Sequence, residues 1–290
     1  MSLSLPFIHV EGVSNFRSLG GYPVATCTPG KKPLTTRQHF FYRSADLVKI
    51  TESGRATMQS LGVTSVYDLR SVGEGQRAQA AHNQAGITTR FNSIALGPDI
   101  KVHPTPIFAH EDWSPEAVGE RYLRYAQEHA LSGSGYAEVY RDMLERGHEA
   151  IRVVLLHVRD HPTEPFLCHC SAGKDRTGVV VAVLLKLAGC DDEVVAREYA
   201  LTELGLAARK EFIVQYLLRK PEVKGSRVLA ERVASASYSN MWETLQMVRS
   251  KYGSMAGYVM KFCSLTESDL DSIQQNLTCS DAPSPWAVSI

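Results

Sequence analysis

Two apolar segments joined by a short polar loop constrain the fold more than any other feature of this sequence. The first, Pro165 to Cys170, reads PFLCHC, and the second, Thr177 to Ala188, reads TGVVVAVLLKLA and ends at Gly189. A short, continuous apolar run is typical of a strand buried on both faces, as in parallel sheets covered by helices. We therefore predict a buried strand that leads through a tight loop into a buried helix.

Strand-like and helix-like segments alternate along the chain. Further strands are predicted over residues 39–45, 63–69 and 87–92. Further helices are predicted from spacing, N-caps and glycine stops over residues 52–60, 115–129, 136–145, 150–159, 192–199, 207–219, 239–252 and 267–276. Alternation of this kind predicts an α/β fold with a central, mostly parallel sheet flanked by helices.

The 290 residues show no internal repeat and no linker, so we expect one domain over residues 1–290, with its core at about 10–277. Four prolines between residues 98 and 115 predict a long irregular segment. We expect residues 97–130 to form either a lid over the functional site or an ordinary surface insertion. Residues 279–290 are expected to be a flexible tail.

Composition excludes several classes of function. Lys plus Arg and Asp plus Glu number 31 each, so no global basic field exists for nucleic-acid binding, and any anion site must be local. The longest apolar run, residues 179–185, is too short for a membrane span. Six cysteines are too few for a disulfide scaffold, and the N-terminus lacks a basic signal region. We expect free thiols and a cytoplasmic location.

The loop itself has the composition of a phosphate site. Its residues are His169, Cys170, Ser171, Ala172, Gly173, Lys174, Asp175, Arg176, Thr177 and Gly178. A glycine-containing loop at a helix N-terminus directs backbone N–H groups inward, where they bind phosphate or another oxyanion. We expect residues 171–176 to bind it, with the planar fork of Arg176 holding two phosphate oxygens.

The same surroundings favour the thiolate of Cys170, which is the nucleophilic form of cysteine. We expect Cys170 to attack phosphorus and form a phosphocysteine that water hydrolyses, with the Thr177 hydroxyl assisting departure of the sulfur. The simpler interpretation makes Cys170 a small core residue and Arg176 a charge at the helix end. The surrounding strand, glycines and helix favour the catalytic interpretation.

This loop resembles that of the cysteine-dependent protein tyrosine phosphatases, in the bacterial and fungal branch with the sequence HCxxGKDRTG. Residues 15–21 (NFRSLGG), 41–44 (FYRS), 61–71 (LGV to DLRS) and 251–258 (KYGSMAGY) resemble other segments of that branch, in the same order. The resemblance spans about residues 10–277. It implies a single α/β domain with the loop at the carboxyl end of a central strand.

An aspartate should protonate the leaving oxygen and then activate water. No Trp-Pro-Asp tripeptide, which holds this acid in many tyrosine phosphatases, exists here. Asp175, inside the loop, and Asp68, at the end of a strand, are the candidates, and the branch resembled has an aspartate at both positions. We favour Asp175; the alternative for Asp68 is an ion pair that orients Arg70 or Arg176.

Other residues near the loop have weaker signals. Lys174 is either a second cation at the mouth, as in phosphoinositide phosphatases, or a surface lysine. Cys168 is either a core residue or a thiol that pairs with an oxidised Cys170.

His169 is expected to hydrogen-bond the loop backbone. Arg17 and Arg43 are expected to support the loop or the substrate, or to be paired elsewhere. No ligand spacing indicates a metal, and no cofactor is implied.

These observations predict a phosphomonoester hydrolase with a cysteine nucleophile, acting on phosphotyrosine proteins or with dual specificity. The alternatives are a phosphoinositide phosphatase, a phosphate-binding pseudophosphatase and a sulfurtransferase of the rhodanese type. The presence of Cys170, Arg176 and Thr177 counts against a pseudophosphatase. The GKDRTG sequence around Arg176 counts against a sulfurtransferase.

Overall fold

A computed structural model describes residues 6–25, 33–84, 96–109, 124–125, 128–129 and 133–280. Its strands are β1 Arg17–Ser18, β2 Thr35–Thr36, β3 Phe41–Ser44, β4 Ser65–Asp68, β5 Lys101–Pro104, β6 Glu128–His129, β7 Gly133–Ser134, β8 Phe166–His169 and β9 Thr278–Cys279. Its helices are α1 Glu52–Ser60, α2 Val72–Gln84, α3 Gly135–Arg146, α4 His148–Asp160, α5 Asp175–Ala188, α6 Asp192–Ala200, α7 Thr202–Gly205, α8 Lys210–Leu218, α9 Arg227–Ala234, α10 Tyr238–Tyr252, α11 Met255–Phe262 and α12 Glu267–Leu277.

The central sheet places β8 in the middle of five strands, in the order β1-β3-β8-β4-β5. β3, β8, β4 and β5 are parallel, and β1 is antiparallel to β3. The predicted α/β class with a mostly parallel sheet is confirmed. Because β8 has a neighbour on each side, the loop that follows it lies between the ends of β3 and β4.

Side chains of β8 alternate between two apolar clusters. Phe166, Cys168 and Cys170 join the larger cluster with the apolar face of α5, whereas Leu167 joins the cluster that contains Met58 of α1. Helices therefore cover both faces of the sheet, which explains the continuous apolar sequence of β8. Cys168 and Cys170 therefore face the same side of the sheet.

Most predicted helices agree with the structure within two or three residues. Thr51 caps α1 as predicted, its hydroxyl accepting a hydrogen bond from the backbone N–H of Gly54 at 3.1 Å. α5 begins at Asp175 rather than Thr177, so the end of the loop is already the first turn of the helix. This shift places the helix N-terminus directly at the predicted anion site.

The proline-rich segment differs from its prediction. Residues 101–104 form β5, the edge strand of the central sheet, where Pro104 ends the strand and its missing N–H is tolerated. The helix predicted over 115–129 does not reach its predicted end, because Glu128–His129 pairs with β7. The predicted strand at 87–92 and residues 110–123 of the predicted lid lie outside the described residues.

Regular structure extends closer to the C-terminus than predicted, as far as Cys279. β9 pairs with β2, so Cys279 belongs to a strand, and the predicted tail from 281 onward lies outside the described residues. In the part of the chain that the structure describes, no helix has the length and apolar character needed to cross a bilayer.

Candidate active site

The phosphate loop, residues 170–176, connects the carboxyl end of β8 to the first turn of α5. Its carbonyl groups are held from outside: the backbone N–H of Asp46 donates to the carbonyl of Ser171 at 3.2 Å, and Asn15 Nδ2 donates to those of Ala172 and Gly173 at 3.2 and 3.1 Å. Across a trans peptide, a carbonyl and the next N–H point in opposite directions. The N–H groups that follow these carbonyls therefore point into the loop.

Gly173 is required by the geometry of the loop. Its φ is +64°, and a Cβ there would lie 2.1 Å from the carbonyl oxygen of Ser44, at the end of β3. The backbone of the loop thus packs directly against a neighbouring strand, which no larger residue would allow.

Two buried arginines lie behind the loop and share one carboxylate. Arg17 Nε and Arg43 Nη1 each donate to Glu198 of α6 at 2.7 Å, and all three side chains are at most 1% exposed. Arg43 Nη2 also donates to the carbonyls of Gly173 and Lys174 at 2.7 and 3.3 Å. Arg43 therefore has the contacts of a residue that supports the loop. Arg17 has those of the paired alternative, because its hydrogen bonds go to Glu198, Asn15 and Thr202.

Cys170 lies at the base of the loop and is 3% exposed. The neighbouring Cys168 is fully buried in β8, and burial raises the pKa of its thiol well above the usual range. A thiol that stays protonated is a poor nucleophile, so these contacts favour the core role of Cys168 over a redox role.

Arg176 closes the loop and is paired with Glu74, a residue of α2. Its Nη1 and Nη2 donate to the two carboxylate oxygens of Glu74 at 2.6 and 3.0 Å, and the hydroxyl of Ser171 donates to the same carboxylate at 3.2 Å. Burial alone would lower the pKa of Arg176, but the negative charge of Glu74 outweighs it and the pKa is raised. The guanidinium is therefore permanently charged.

Asp68 is bound by Arg70. Arg70 Nε and Nη2 donate to its two oxygens at 2.9 and 2.7 Å, and His169 Nε2 lies 3.9 Å from Asp68 Oδ2. Burial raises the pKa of Asp68, but His169 and Arg70 outweigh it, so the pKa is lowered and the carboxylate stays ionised. These contacts are those of the ion-pair alternative rather than those of a proton donor.

His169 is fully buried between the strand and the loop. Its Nδ1 lies 3.2 Å from the carbonyl oxygen of Cys170, as expected for a residue that hydrogen-bonds the loop backbone. Burial lowers the pKa of His169, which favours the neutral imidazole.

Asp175 begins α5 beside the loop and keeps 23% of its side chain exposed. The hydroxyl of Tyr140, on α3, donates to its Oδ1 at 2.7 Å. Tyr140 also contacts the hydroxyl of Tyr199 at 2.7 Å, and both tyrosines are buried. One carboxylate oxygen of Asp175 is thus fixed in place.

Both alternatives predicted for Lys174, a second cation at the mouth and a surface lysine, are wrong. The ammonium is buried and donates to the carbonyls of Val233 and Ser235 at 2.6 and 3.0 Å and to the hydroxyl of Tyr136 at 3.2 Å. Burial alone would lower the pKa of Lys174, but the charge of Asp175 and the neighbouring Tyr136 and Tyr199 outweigh it and the pKa is raised. The side chain connects the loop to the C-terminal end of α9.

Thr177 is fully buried in the first turn of α5. Within the described part of the chain, its hydroxyl has no hydrogen-bond partner. Buried hydroxyls are normally paired, so this group is available to a reacting atom in the loop.

Three residues that support the site were not predicted from the sequence: Glu74, Tyr140 and Glu198. For Glu74 a signal existed, since Ser71 to Glu74 fits the S-x-x-E capping box that opens many helices. Tyr140 and Glu198 had no such signal in the sequence. Tyr140 is 35 residues from its partner Asp175, and Glu198 is 155 residues from its partner Arg43. Among the described residues, no group of three or more His, Cys, Asp and Glu side chains is arranged to hold a metal.

Comparisons with known proteins agree with this geometry. A family model described as "Tyrosine phosphatase family" matches residues 8–279. The chain is similar to the triple specificity protein phosphatase PtpB of Mycobacterium tuberculosis, with 28% identity over 276 residues that cover 86% of this chain and 91% of that protein. It is also similar to a tyrosine-protein phosphatase of Nostoc commune, with 28% identity over 164 residues that cover 56% of this chain and 48% of that protein. The predicted resemblance is confirmed, and the chain belongs to the tyrosine phosphatase family.

Proposed function

We propose that the protein hydrolyses phosphomonoesters, phosphotyrosine in proteins above all, through a phosphocysteine at Cys170. The observation that carries this proposal is the loop whose carbonyls are held outward by Asp46, Asn15 and Arg43. The inward N–H groups, the N-terminus of α5 and Arg176 together bind a phosphate above the sulfur.

In the first step the thiolate of Cys170 attacks phosphorus, an S–P bond forms and the P–O bond to the leaving group breaks. Asp175 gives its proton to the leaving oxygen, with Tyr140 fixing the other carboxylate oxygen. In the second step Asp175 takes a proton from water, the water oxygen attacks phosphorus and the S–P bond breaks. The Thr177 hydroxyl then donates to the departing sulfur, which returns as thiolate.

Asp175 suits the role of acid better than Asp68 does. Asp68 is held ionised by Arg70, and a carboxylate that is bound through both oxygens has no proton to give. We expect Asp175→Asn to slow hydrolysis of an alkyl phosphate, which needs protonation, far more than that of an aryl phosphate. If Asp68→Asn shows this difference and Asp175→Asn slows both equally, the assignment is wrong.

The substrate class is tested by phosphate release from phosphotyrosine, phosphoserine and phosphoinositide substrates, with Cys170→Ser as the blank. Phosphotyrosine should be hydrolysed fastest. The M. tuberculosis relative is named a triple specificity phosphatase, which favours testing more than one substrate class. The burial of Lys174 removes the argument for a phosphoinositide preference. Binding of phosphate without release from any substrate would indicate a pseudophosphatase and refute the proposal, and a sulfurtransferase would form thiocyanate instead of phosphate.

A further inference from the structure

Two buried tyrosine hydroxyls form a chain that ends at Asp175. The hydroxyl of Tyr140, on α3, donates to Asp175 Oδ1 at 2.7 Å, and the hydroxyl of Tyr199, on α6, lies 2.7 Å from that of Tyr140. Both tyrosine side chains are at most 1% exposed. Burial raises the pKa of each tyrosine well above the usual range, so both hydroxyls keep their hydrogens at neutral pH.

The direction of this chain follows from the number of hydrogens. A tyrosine hydroxyl has one hydrogen, and that of Tyr140 is given to Asp175. The hydrogen bond between the two hydroxyls is therefore donated by Tyr199. Within the described part of the chain, Tyr140 is the only hydrogen-bond partner of the Tyr199 hydroxyl. Tyr199 thus donates to Tyr140, and Tyr140 donates to Asp175.

The same chain distinguishes the two oxygens of Asp175. Oδ1 accepts from Tyr140 and lies 3.5 Å from the ammonium of Lys174. A proton on Oδ1 would face that positive charge. It would also reverse the chain, which would leave the hydroxyl hydrogen of Tyr199 without an acceptor. Both contacts therefore favour Oδ2 as the oxygen that carries the transferable proton.

Tyr199 reaches this position because its ring packs closely on the first turn of α5. A Cβ at Gly178 would lie 2.9 Å from two carbon atoms of that ring, so the ring needs the space that glycine leaves open. The residue before Tyr199 on α6 is Glu198, which binds Arg43 and through it the carbonyls of the phosphate loop. Two consecutive residues of α6 therefore support the loop and the acid by separate contacts.

We propose that Tyr199 is a positioning residue for the acid, which acts through Tyr140 and does not contribute to phosphate binding. The inference rests on the proposed function, because it assigns a support to Asp175 in proton transfer. Hydrogen bonds in a chain strengthen one another, so the hydroxyl of Tyr199 makes Tyr140 a better donor. An acid held through one oxygen presents the other in a fixed direction, and loss of that direction slows proton transfer.

The test compares kcat/KM for benzyl phosphate, whose leaving oxygen needs a proton, with kcat/KM for p-nitrophenyl phosphate, whose leaving group does not. Tyr140→Phe should lower the value for benzyl phosphate about tenfold, because it removes the hydrogen bond to Asp175. Tyr199→Phe should lower it about threefold, because it only weakens that bond. For p-nitrophenyl phosphate both variants should stay within about twofold of the unchanged protein.

Phosphate affinity is the second measurement, made by titration calorimetry with inorganic phosphate. The dissociation constant of Tyr199→Phe should remain within about twofold of that of the unchanged protein, since Tyr199 does not contact the loop carbonyls or their supports. A residue that merely stabilises the fold would change both substrates and phosphate binding together.

The double variant Tyr140→Phe/Tyr199→Phe separates action through Tyr140 from an independent effect. Action through Tyr140 predicts that the double variant matches Tyr140→Phe alone, whereas independent effects would multiply to a loss of about thirtyfold for benzyl phosphate. Tyr258→Phe is the matched control. It also removes a buried hydroxyl, which donates to the carbonyl of Leu144 at 2.6 Å, and it should leave the ratio of the two kcat/KM values unchanged.

Three results would overturn the inference while leaving the proposed function intact. They are an unchanged ratio of the two kcat/KM values in Tyr199→Phe, the full multiplied loss in the double variant, and weaker phosphate binding by Tyr199→Phe. Failure of the proposed function gives a different result, because the unchanged protein would then release phosphate from neither ester. That outcome would refute both the proposed function and the inference.

Discussion

Replacing Glu198 tests how the fold supports the loop. Glu198 accepts hydrogen bonds of 2.7 Å from Arg17 and from Arg43, and all three side chains are buried. Each bond to a charged group contributes about 1.5–3 kcal/mol, and loss of one partner of a buried ion pair costs about 3–5 kcal/mol. Glutamine retains one acceptor oxygen, so we expect Glu198→Gln to lower the free energy of unfolding by about 3 kcal/mol. For a chain of this length that is a fall in Tm of about 5 °C.

The assay is urea unfolding followed by circular dichroism, with Glu193→Gln as the control. Glu193 lies on the same helix and pairs with Arg197, but both side chains are about half exposed, so its loss should cost less than about 1 kcal/mol. Glu198→Gln should also weaken phosphate binding, because Arg43 holds the carbonyls of Gly173 and Lys174. A cost below about 1 kcal/mol for Glu198→Gln, or equal costs for both variants, would refute the reasoning.

Three further predictions follow from the site. Gly173→Ala places a Cβ 2.1 Å from a backbone oxygen at positive φ, so calorimetry should show loss of phosphate binding. Lys174→Met should lower Tm but leave the ratio of kcat/KM for inositol phosphates to aryl phosphates unchanged; a selective loss for inositol phosphates would contradict the burial of its ammonium. The lowered pKa of Asp68 means that its stabilisation is present above about pH 4, the ordinary Asp pKa, and is lost as pH falls through the lower folded value. The stability difference between the unchanged protein and Asp68→Asn should therefore vanish in strong acid, as urea unfolding at several pH values will show.

The strand, loop and helix around Cys170 could be predicted because all three are contiguous in sequence. The apolar runs on either side identify a buried strand and helix, and the loop residues include their own nucleophile, arginine and glycine. The mostly parallel sheet followed from the same rules, since strands that alternate with helices favour parallel pairing, but the order of its strands was not predicted. Local sequence therefore predicted where the loop lies in the fold.

The partners of the loop could not be predicted, because they come from distant segments. Glu74 reaches Arg176 from α2, a helix that was missed because Gly73 and Gly75 weaken its pattern. The direction of Lys174 depends on the carbonyls of residues 233 and 235, whose position is a property of tertiary packing. The direction of a side chain within a loop depends on residues outside that loop. Lys174, which its place in the sequence suggested as a substrate contact, therefore binds backbone carbonyls of the protein instead.

The proposed function depends on phosphorylation of Cys170 during turnover. The direct measurement is rapid acid quenching of the protein with an aryl phosphate substrate, followed by mass spectrometry of the peptide that contains Cys170. We expect a transient phosphate adduct on the sulfur of Cys170 that forms before phosphate is released and is absent from Cys170→Ser. Release of phosphate with no adduct at any time, or retained activity in Cys170→Ser, would contradict it.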